Sequence, residues 1–271
     1  VIERAVHVLN ARGVRGADLG IVLGSGLGPA LPEVAGRVEI PYGEIPGARV
    51  PSVEGHAGLI VGGSIHGTRA LCSLGRVHLY EAASFDEISF FARLLDALGG
   101  STVVLTQAAG AASPWLDVPG AMLIRDQINL TGQCFPVDPP NGPLYSSRLR
   151  GLVRRIAAGR RINLPEGVLA GFLGPAYETP AEVRLARQAG AHSLTMSTVP
   201  EALAARELGM EVVGLSVLTN RAPHGGGRIL HRAVVKNARA GAGILRTLVE
   251  DLCACLAQGA STPAVPHSDP S

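Results

Sequence analysis

The chain has 271 residues, 46% hydrophobic and 17% charged, with 35 glycines and 19 prolines scattered along it. That balance excludes a disordered chain and a coiled coil, and the length suits one large α/β domain with a substantial core. Lys and Arg total 24 against 22 Asp and Glu, a formal charge of +2, and no basic run interleaves with aromatics, so the expected partner is a small molecule and not a nucleic acid.

The longest uncharged stretch, between Asp96 and Asp117, is interrupted by Gly99, Gly100, Gly110 and Pro114 and does not read as a membrane span. Val1-Ile2-Glu3-Arg4 reads as the start of an amphipathic helix and not as a signal peptide, so a cytoplasmic location is expected. Cys72, Cys134, Cys253 and Cys255 are too few and too dispersed for a disulfide framework and are read as reduced thiols, with Cys253 and Cys255 in packing roles.

Short Val/Ile/Leu-rich runs alternate with longer helical patterns, the signature of a sheet covered by helices. In chain order, a helix is predicted over 3–12, then a strand over 19–23 that opens into a glycine-rich turn. Strands follow over 58–61 and 68–74, a helix over 84–98, then strands over 102–106 and 121–124. The second half predicts helices over 147–159, 180–189, 200–208 and 230–256, with strands over 168–172 and 212–218 between them. Residues 259–271, rich in Ser, Pro and Ala, are expected to form a flexible tail. Thr179-Pro180 carries two helix-start signals, a capping hydroxyl and a first-turn proline, which leaves Glu178 in the loop just before the helix, able to face a cleft.

Gly24-Ser25-Gly26-Leu27-Gly28 after a strand suggests backbone amides turned toward an anion. Pro29 stands where a dinucleotide fingerprint needs Gly or Ala, so an NAD-type oxidoreductase is disfavoured, and a tight structural turn is the plain alternative. If the strand before Gly75 continues, Arg76, His78 and Tyr80 share one face, where a guanidinium, an imidazole and a phenol could bind phosphate and nearby hydroxyls. The alternative is a solvated strand face. His56 lies in the glycine-flanked segment Glu54-Gly55-His56-Ala57-Gly58, Ser197 at a helix start, and Asn220 at the end of an apolar strand, where ligands of open α/β sheets collect.

Taken in order, these segments resemble the trimeric purine nucleoside phosphorylases, of the nucleoside phosphorylase family that includes methylthioadenosine phosphorylase. The resemblance rests on those segments, on Glu81 after Tyr80, and on Ala108-Ala109-Gly110 and Ile124-Arg125-Asp126-Gln127-Ile128-Asn129-Leu130. It rests equally on Gly174-Pro175-Ala176-Tyr177-Glu178-Thr179, Met196-Ser197-Thr198-Val199-Pro200-Glu201 and Leu218-Thr219-Asn220. It implies a single-domain α/β phosphorylase fold over 1–258, with a central mixed β-sheet flanked by helices.

The implied reaction is phosphate-dependent cleavage of a purine nucleoside to free base and ribose 1-phosphate, with inorganic phosphate as co-substrate, no metal or organic cofactor, and a homotrimeric assembly. By the same resemblance, Ser25, His56, Arg76, His78, Ala108 and Ser197 would hold phosphate. Tyr80, Met196 and His231 would shape the ribose site, Tyr177 would stack on the base, and Glu178 with Asn220 would read its edge. His78, Glu178 and Asn220 are the residues expected to carry catalysis. An ionised Glu178 accepts from N1–H, which hypoxanthine and guanine offer and adenine lacks, so a 6-oxopurine nucleoside is the expected substrate.

Several positions depart from the family pattern: Gln107 replaces Asn, Thr195 and Ala82 replace Gly, and the segment 131–150 is shorter than a loop that carries an aromatic cap for the neighbouring subunit. Phe135 and Tyr145 are the candidate substitutes for that cap, and the glycines of Pro223-His224-Gly225-Gly226-Gly227 suggest a mobile loop over the site. The alternatives are a methylthioadenosine-type or pathway-specialised phosphorylase with an altered ribose pocket, and a homologue that binds purine or phosphate without turnover.

Overall fold

Five consecutive apolar residues form β1 (Leu19–Leu23), all of them buried. A strand with no polar face needs cover on both sides, which a parallel sheet between helical layers provides. The computed structural model describes residues 1–138, 141–222 and 231–260, the side chains of 231–233 and 259–260 excepted. In it β1 lies between β4 (Thr68–Leu74) and β5 (Thr102–Ala111), parallel to both.

Outward from β4 come β3 (Leu59–Ile65) and the edge strand β2 (Ala35–Pro41), each antiparallel to its neighbour. On the other side β5 pairs in parallel with β9 (Glu211–Arg221). The strand β6 (Gly120–Leu130) runs antiparallel to β9 and parallel to β7 (Glu166–Phe172). The short β8 (Ser193–Thr195) joins β7 back to β5. Strands β5, β8, β7, β6 and β9 therefore close into a ring on one side of a nine-stranded mixed sheet.

Alternation along β1 decides what packs where. Val22 points into a cluster with Leu9 of α1 (Ile2–Ala11), Leu94 and Leu95 of α2 (Phe85–Ala97), and Ala202 of α5 (Val199–Glu207). Leu19, Ile21 and Leu23 point the other way, against Val153 of α3 (Ser147–Gly159) and Leu245, Leu248 and Leu252 of α6 (His231–Ala260). Each fully buried aliphatic side chain contributes about 1.5–3 kcal/mol relative to exposure. The helix α4 (Pro180–Gln188) covers the ring with Val183 and Ala186.

The predicted helices are all present within a few residues of their expected ends. Two strands had no signal. In β2 only Ile40 is buried, so an edge strand reads as polar sequence, and β8 is only three residues long. The predicted strand 121–124 is the buried start of β6, which runs on to Leu130 through residues of mostly intermediate or full exposure. The helix α6 continues to Ala260, into the expected tail, and 261–271 lie outside the described residues. Among the described residues no helix is long and apolar enough to cross a membrane.

The strands β1, β4, β5 and β9 point the same way, so their carboxyl halves meet at one edge, where a crevice forms in open α/β sheets. Chain approach there is close. A Cβ on Gly24 would lie 3.0 Å from the Thr106 carbonyl oxygen, and one on Gly75, at φ +121°, would meet the Cβ of His56 at 2.7 Å. Both turns require glycine for that reason.

Candidate active site

A cavity of about 340 Å³ opens at this edge. One end is polar, and Arg76 is its centre. The Arg76 side chain is 3% exposed and its Nε lies 3.1 Å from Oε1 of Glu201, whose side chain is 10% exposed. Nη1 donates to Ser197 Oγ at 3.1 Å and reaches Thr198 Oγ1 at 3.4 Å. Nη2 is buried and has no hydrogen-bond partner among the described residues, so the guanidinium keeps unmet donor capacity. Leaving such a donor unmet costs on the order of 1–3 kcal/mol, and the buried positive charge beside the cavity favours an anion there. Ser25, His78, Ala108 and Ser197 line the same end.

Two histidines are set by what they touch. Glu81 accepts from the His78 backbone N–H at 2.7 Å and sits 3.2 Å from its Nδ1. Burial pushes the Glu81 carboxyl up, but hydrogen bonds from the side chains and backbone N–H groups of His78 and Ser52 outweigh it and hold Glu81 well below the usual carboxylate range. An ionised Glu81 keeps the proton on His78 Nδ1 and leaves Nε2 as the ring's other polar edge. His56 Nδ1 accepts from the Arg76 backbone N–H at 3.1 Å, so its Nε2–H faces Ser25 Oγ, 2.8 Å away. Ser25 then accepts from His56 and has its own O–H to donate into the cavity.

The sequence expectations need correction here. His56 is tied to the site through Ser25, whose Oγ lies 2.8 Å from its Nε2. Arg76, His78 and Tyr80 do converge on it, but not as one strand face: β4 ends at Leu74, and Leu79–Glu81 is a 3₁₀ turn that swings Tyr80 onto His78, rings 4.8 Å apart and stacked. Burial pushes the Tyr80 phenol up to about 12.

Tyr177, Glu178 and Asn220 also line the cavity, as do Met196 and Thr195. Thr179 caps α4, accepting from the Glu182 backbone N–H at 3.3 Å while the Glu182 carboxylate takes the Thr179 N–H at 2.7 Å. That capping box fixes the exit of the loop and holds Glu178 at the cavity wall. Burial raises the Glu178 carboxyl above its ordinary range, and the Glu182 charge adds to it against the pull of a backbone N–H. Asn220 has its amide oriented: Thr219 O–H donates to Oδ1 at 2.9 Å, and Nδ2 donates to the Arg221 carbonyl at 3.1 Å, leaving a second Nδ2 hydrogen.

Thr198, between Ser197 and α5, is fully buried and adopts φ +74°, ψ −42°. The Val199 N–H reaches back to the Ser197 carbonyl at 2.8 Å and closes a γ-turn. For a β-branched residue this backbone costs roughly 1–3 kcal/mol and persists only where its surroundings over-determine it. Thr198 donates its backbone N–H to Glu201 Oε2 at 2.8 Å and its hydroxyl to Gln107 Oε1 at 3.0 Å.

The two candidate caps for a neighbouring subunit's site have these partners within their own chain. Tyr145 is fully buried and donates to Gln127 Oε1 at 2.7 Å, while Phe135 packs on Phe85 with ring centroids 5.5 Å apart. The side chain of His231 and the segment 223–227 lie outside the described residues. Sequence reasoning quoted Glu81 and Glu201 without giving them a role, although both stand three residues after a capping position, His78 and Thr198. That spacing was the available signal. It also left Thr219 and Gln107 without their side-chain partners, which depend on tertiary contact.

The sequence matches the phosphorylase superfamily over residues 18–254. Purine nucleoside phosphorylase 1 of Geobacillus stearothermophilus is 39% identical over 231 residues, 82% of this chain and 84% of its own. The purine nucleoside phosphorylase of Cellulomonas sp is 42% identical over 234 residues, 80% of this chain and 79% of its own. Among solved structures, a Schistosoma purine nucleoside phosphorylase in complex with hypoxanthine superposes with a TM-score of 0.86 at 27% identity, over 94% of this chain and 96% of that one.

Proposed function

Because the chain belongs to the phosphorylase superfamily and to its purine nucleoside phosphorylases, it is a pentosyl-transferring enzyme, and we propose that it acts on 6-oxopurine ribo- and deoxyribonucleosides. Inosine and guanosine are the type substrates, and inorganic phosphate is the co-substrate. One observation carries the reading. A single cavity is lined by a buried, incompletely partnered guanidinium and by a carboxylate and an oriented amide.

Phosphate seats against Arg76, with Ser25 and Ser197 donating to its remaining oxygens, His78 Nε2 accepting from the O–H of hydrogen phosphate, Ala108 beside it and His56 acting through Ser25. Tyr80 and Met196 border the sugar, as does His231 by resemblance, and Tyr177 stacks on the purine. A phosphate oxygen forms a bond to C1′ as the C1′–N9 bond breaks, and the N-glycosidic electron pair leaves with the base. Asn220 Nδ2 donates to N7 as negative charge develops on the purine, and ionised Glu178 accepts from N1–H. Phosphate beside the positive sugar and a donor at N7 both bind the transition state more strongly than the ground state.

Adenosine presents a bare N1 to Glu178, so two acceptors oppose each other and the substrate is disfavoured. We assign residues 1–258 to the catalytic unit and a homotrimer to its assembly, which sedimentation would test. The test of function is release of base from inosine, guanosine, adenosine and methylthioadenosine, each with and without phosphate. Phosphate-dependent release from inosine and guanosine alone is expected. Preferential cleavage of methylthioadenosine, or binding without cleavage of any of the four, overturns the proposal.

A further inference from the structure

We propose that Gln107 is a positioning residue for the phosphate subsite: through Thr198 it holds the left-handed γ-turn that sets Ser197 and Arg76. The inference rests on the phosphorolytic reading of the cavity. Gln107 and Ser216 are paired in parallel register on β5 and β9, so their side chains leave the sheet on the same face. Gln107 is 1% exposed. Its Nε2 donates to Ser216 Oγ at 2.7 Å and its Oε1 accepts from Thr198 Oγ1 at 3.0 Å. Both ends of the amide act on the protein, which makes it a brace from the sheet to the turn.

The brace has a direction. With its proton committed to Gln107, the Thr198 hydroxyl turns its lone pairs to Arg76, whose Nη1 lies 3.4 Å from it and 3.1 Å from Ser197 Oγ. The backbone of Thr198 is tied independently, by its N–H to Glu201, the ion-pair partner of Arg76. A β-branched residue at positive φ relaxes toward ordinary geometry when a tie is cut. Relaxation here moves Ser197 and withdraws an acceptor from Arg76, while Tyr177, Glu178 and Asn220 stand on other segments.

The experiment compares wild type, Gln107→Leu, Thr198→Val and the double variant. Steady-state KM is measured for phosphate and inosine, and phosphate binding to the free protein is measured by calorimetry. Each single variant is expected to raise the phosphate KM and Kd about tenfold, the loss typical of a buried hydrogen bond whose partner is stranded, with the inosine KM within about twofold. The double variant is expected to be no worse than the poorer single one by more than about twofold, because both cut the same tie.

Effects that multiply in the double variant, fall equally on inosine, or leave phosphate within about twofold overturn the inference. If Gln107→Leu fails to fold, Ser216→Ala frees the other end of the amide and is expected to raise the phosphate KM about threefold, no change refuting the brace. A wild type that binds phosphate yet releases no base refutes the proposed function alone, since the Kd series still decides the role of Gln107. A wild type that neither binds nor uses phosphate refutes both.

Discussion

Asn220→Asp exchanges the Nδ2 donor for an oxygen without changing side-chain shape. In the wild type, Thr219 O–H already occupies Oδ1, so the group presented to the purine is Nδ2. The new oxygen opposes the N7 lone pair and loses its bond to the Arg221 carbonyl with either purine, so those losses cancel in a ratio, but with inosine it also opposes the O6 lone pairs. A hydrogen bond replaced by opposed acceptors in a partly buried site costs about 1–3 kcal/mol, or roughly 5- to 150-fold in kcat/KM. With adenosine, the same carboxylate accepts from the 6-amino group and regains about 0.5–1.5 kcal/mol. The inosine-to-adenosine ratio of kcat/KM is therefore expected to fall by roughly 2–4 kcal/mol, about 30- to 1000-fold. The assay is initial-rate base release at saturating phosphate, with melting temperature as the control for folding. A ratio within about threefold of wild type in a folded variant would refute the placement of Asn220 at the purine edge.

Arg76→Ala removes the main counter-charge and is expected to weaken phosphate use by roughly 2–5 kcal/mol, read as a phosphate KM that no longer saturates. Glu178 has its pKa raised by burial, so inosine kcat/KM is expected to fall, on acidification, at a higher pH than an ordinary carboxyl would impose, while adenosine, which can accept a proton at N1, gains relative to it. A raised carboxyl pKa also means that the Glu178 contribution to stability is fully present below its unfolded-state value and is lost as pH rises through the folded-state value. Glu178→Gln is accordingly expected to raise the melting temperature at pH 7 and not at about pH 4, and equal shifts at both would refute the burial argument. Thr195→Gly removes a hydroxyl that lies 3.5 Å from the Ala108 carbonyl and 3.4 Å from Ser197 Oγ. It is expected to lower the KM for nucleosides with bulkier sugars while leaving the 6-oxo preference intact, as competition between paired substrates would show.

What could be read in the sequence was what local chemistry decides. The fully apolar β1 needed only five residues to announce a buried parallel strand, and Thr179-Pro180 announced the start of α4 and so the loop position of Glu178. Edge strand β2 was silent because only one of its residues faces the core. The convergence of Arg76, His78 and Tyr80 was expected for the wrong reason, an extended strand, when a 3₁₀ turn and the Glu81 carboxylate bring them together. Pairing between distant segments was not legible at all. Nothing near His56 in the chain says that Ser25 will be its hydrogen-bond partner.

The two ends of the cavity differ in how tightly the protein holds them, and that difference has a functional sense. At the phosphate end nearly every polar group has a second protein partner: Arg76 has Glu201, His78 has Glu81, Ser25 has His56, and Thr198 has Gln107. Donors fixed in this way need not reorganise when a dianion arrives or when charge shifts during bond cleavage, which is where electrostatic preorganisation lowers a barrier. At the base end Tyr177 is 36% exposed, and among the described residues the Asn220 amide bonds to its immediate neighbours in the chain. A rigid anion site is compatible with one invariant co-substrate, and a lightly braced base site with a preference that single substitutions can redirect. The chemistry is built into the sheet, and the choice of purine into residues near its rim.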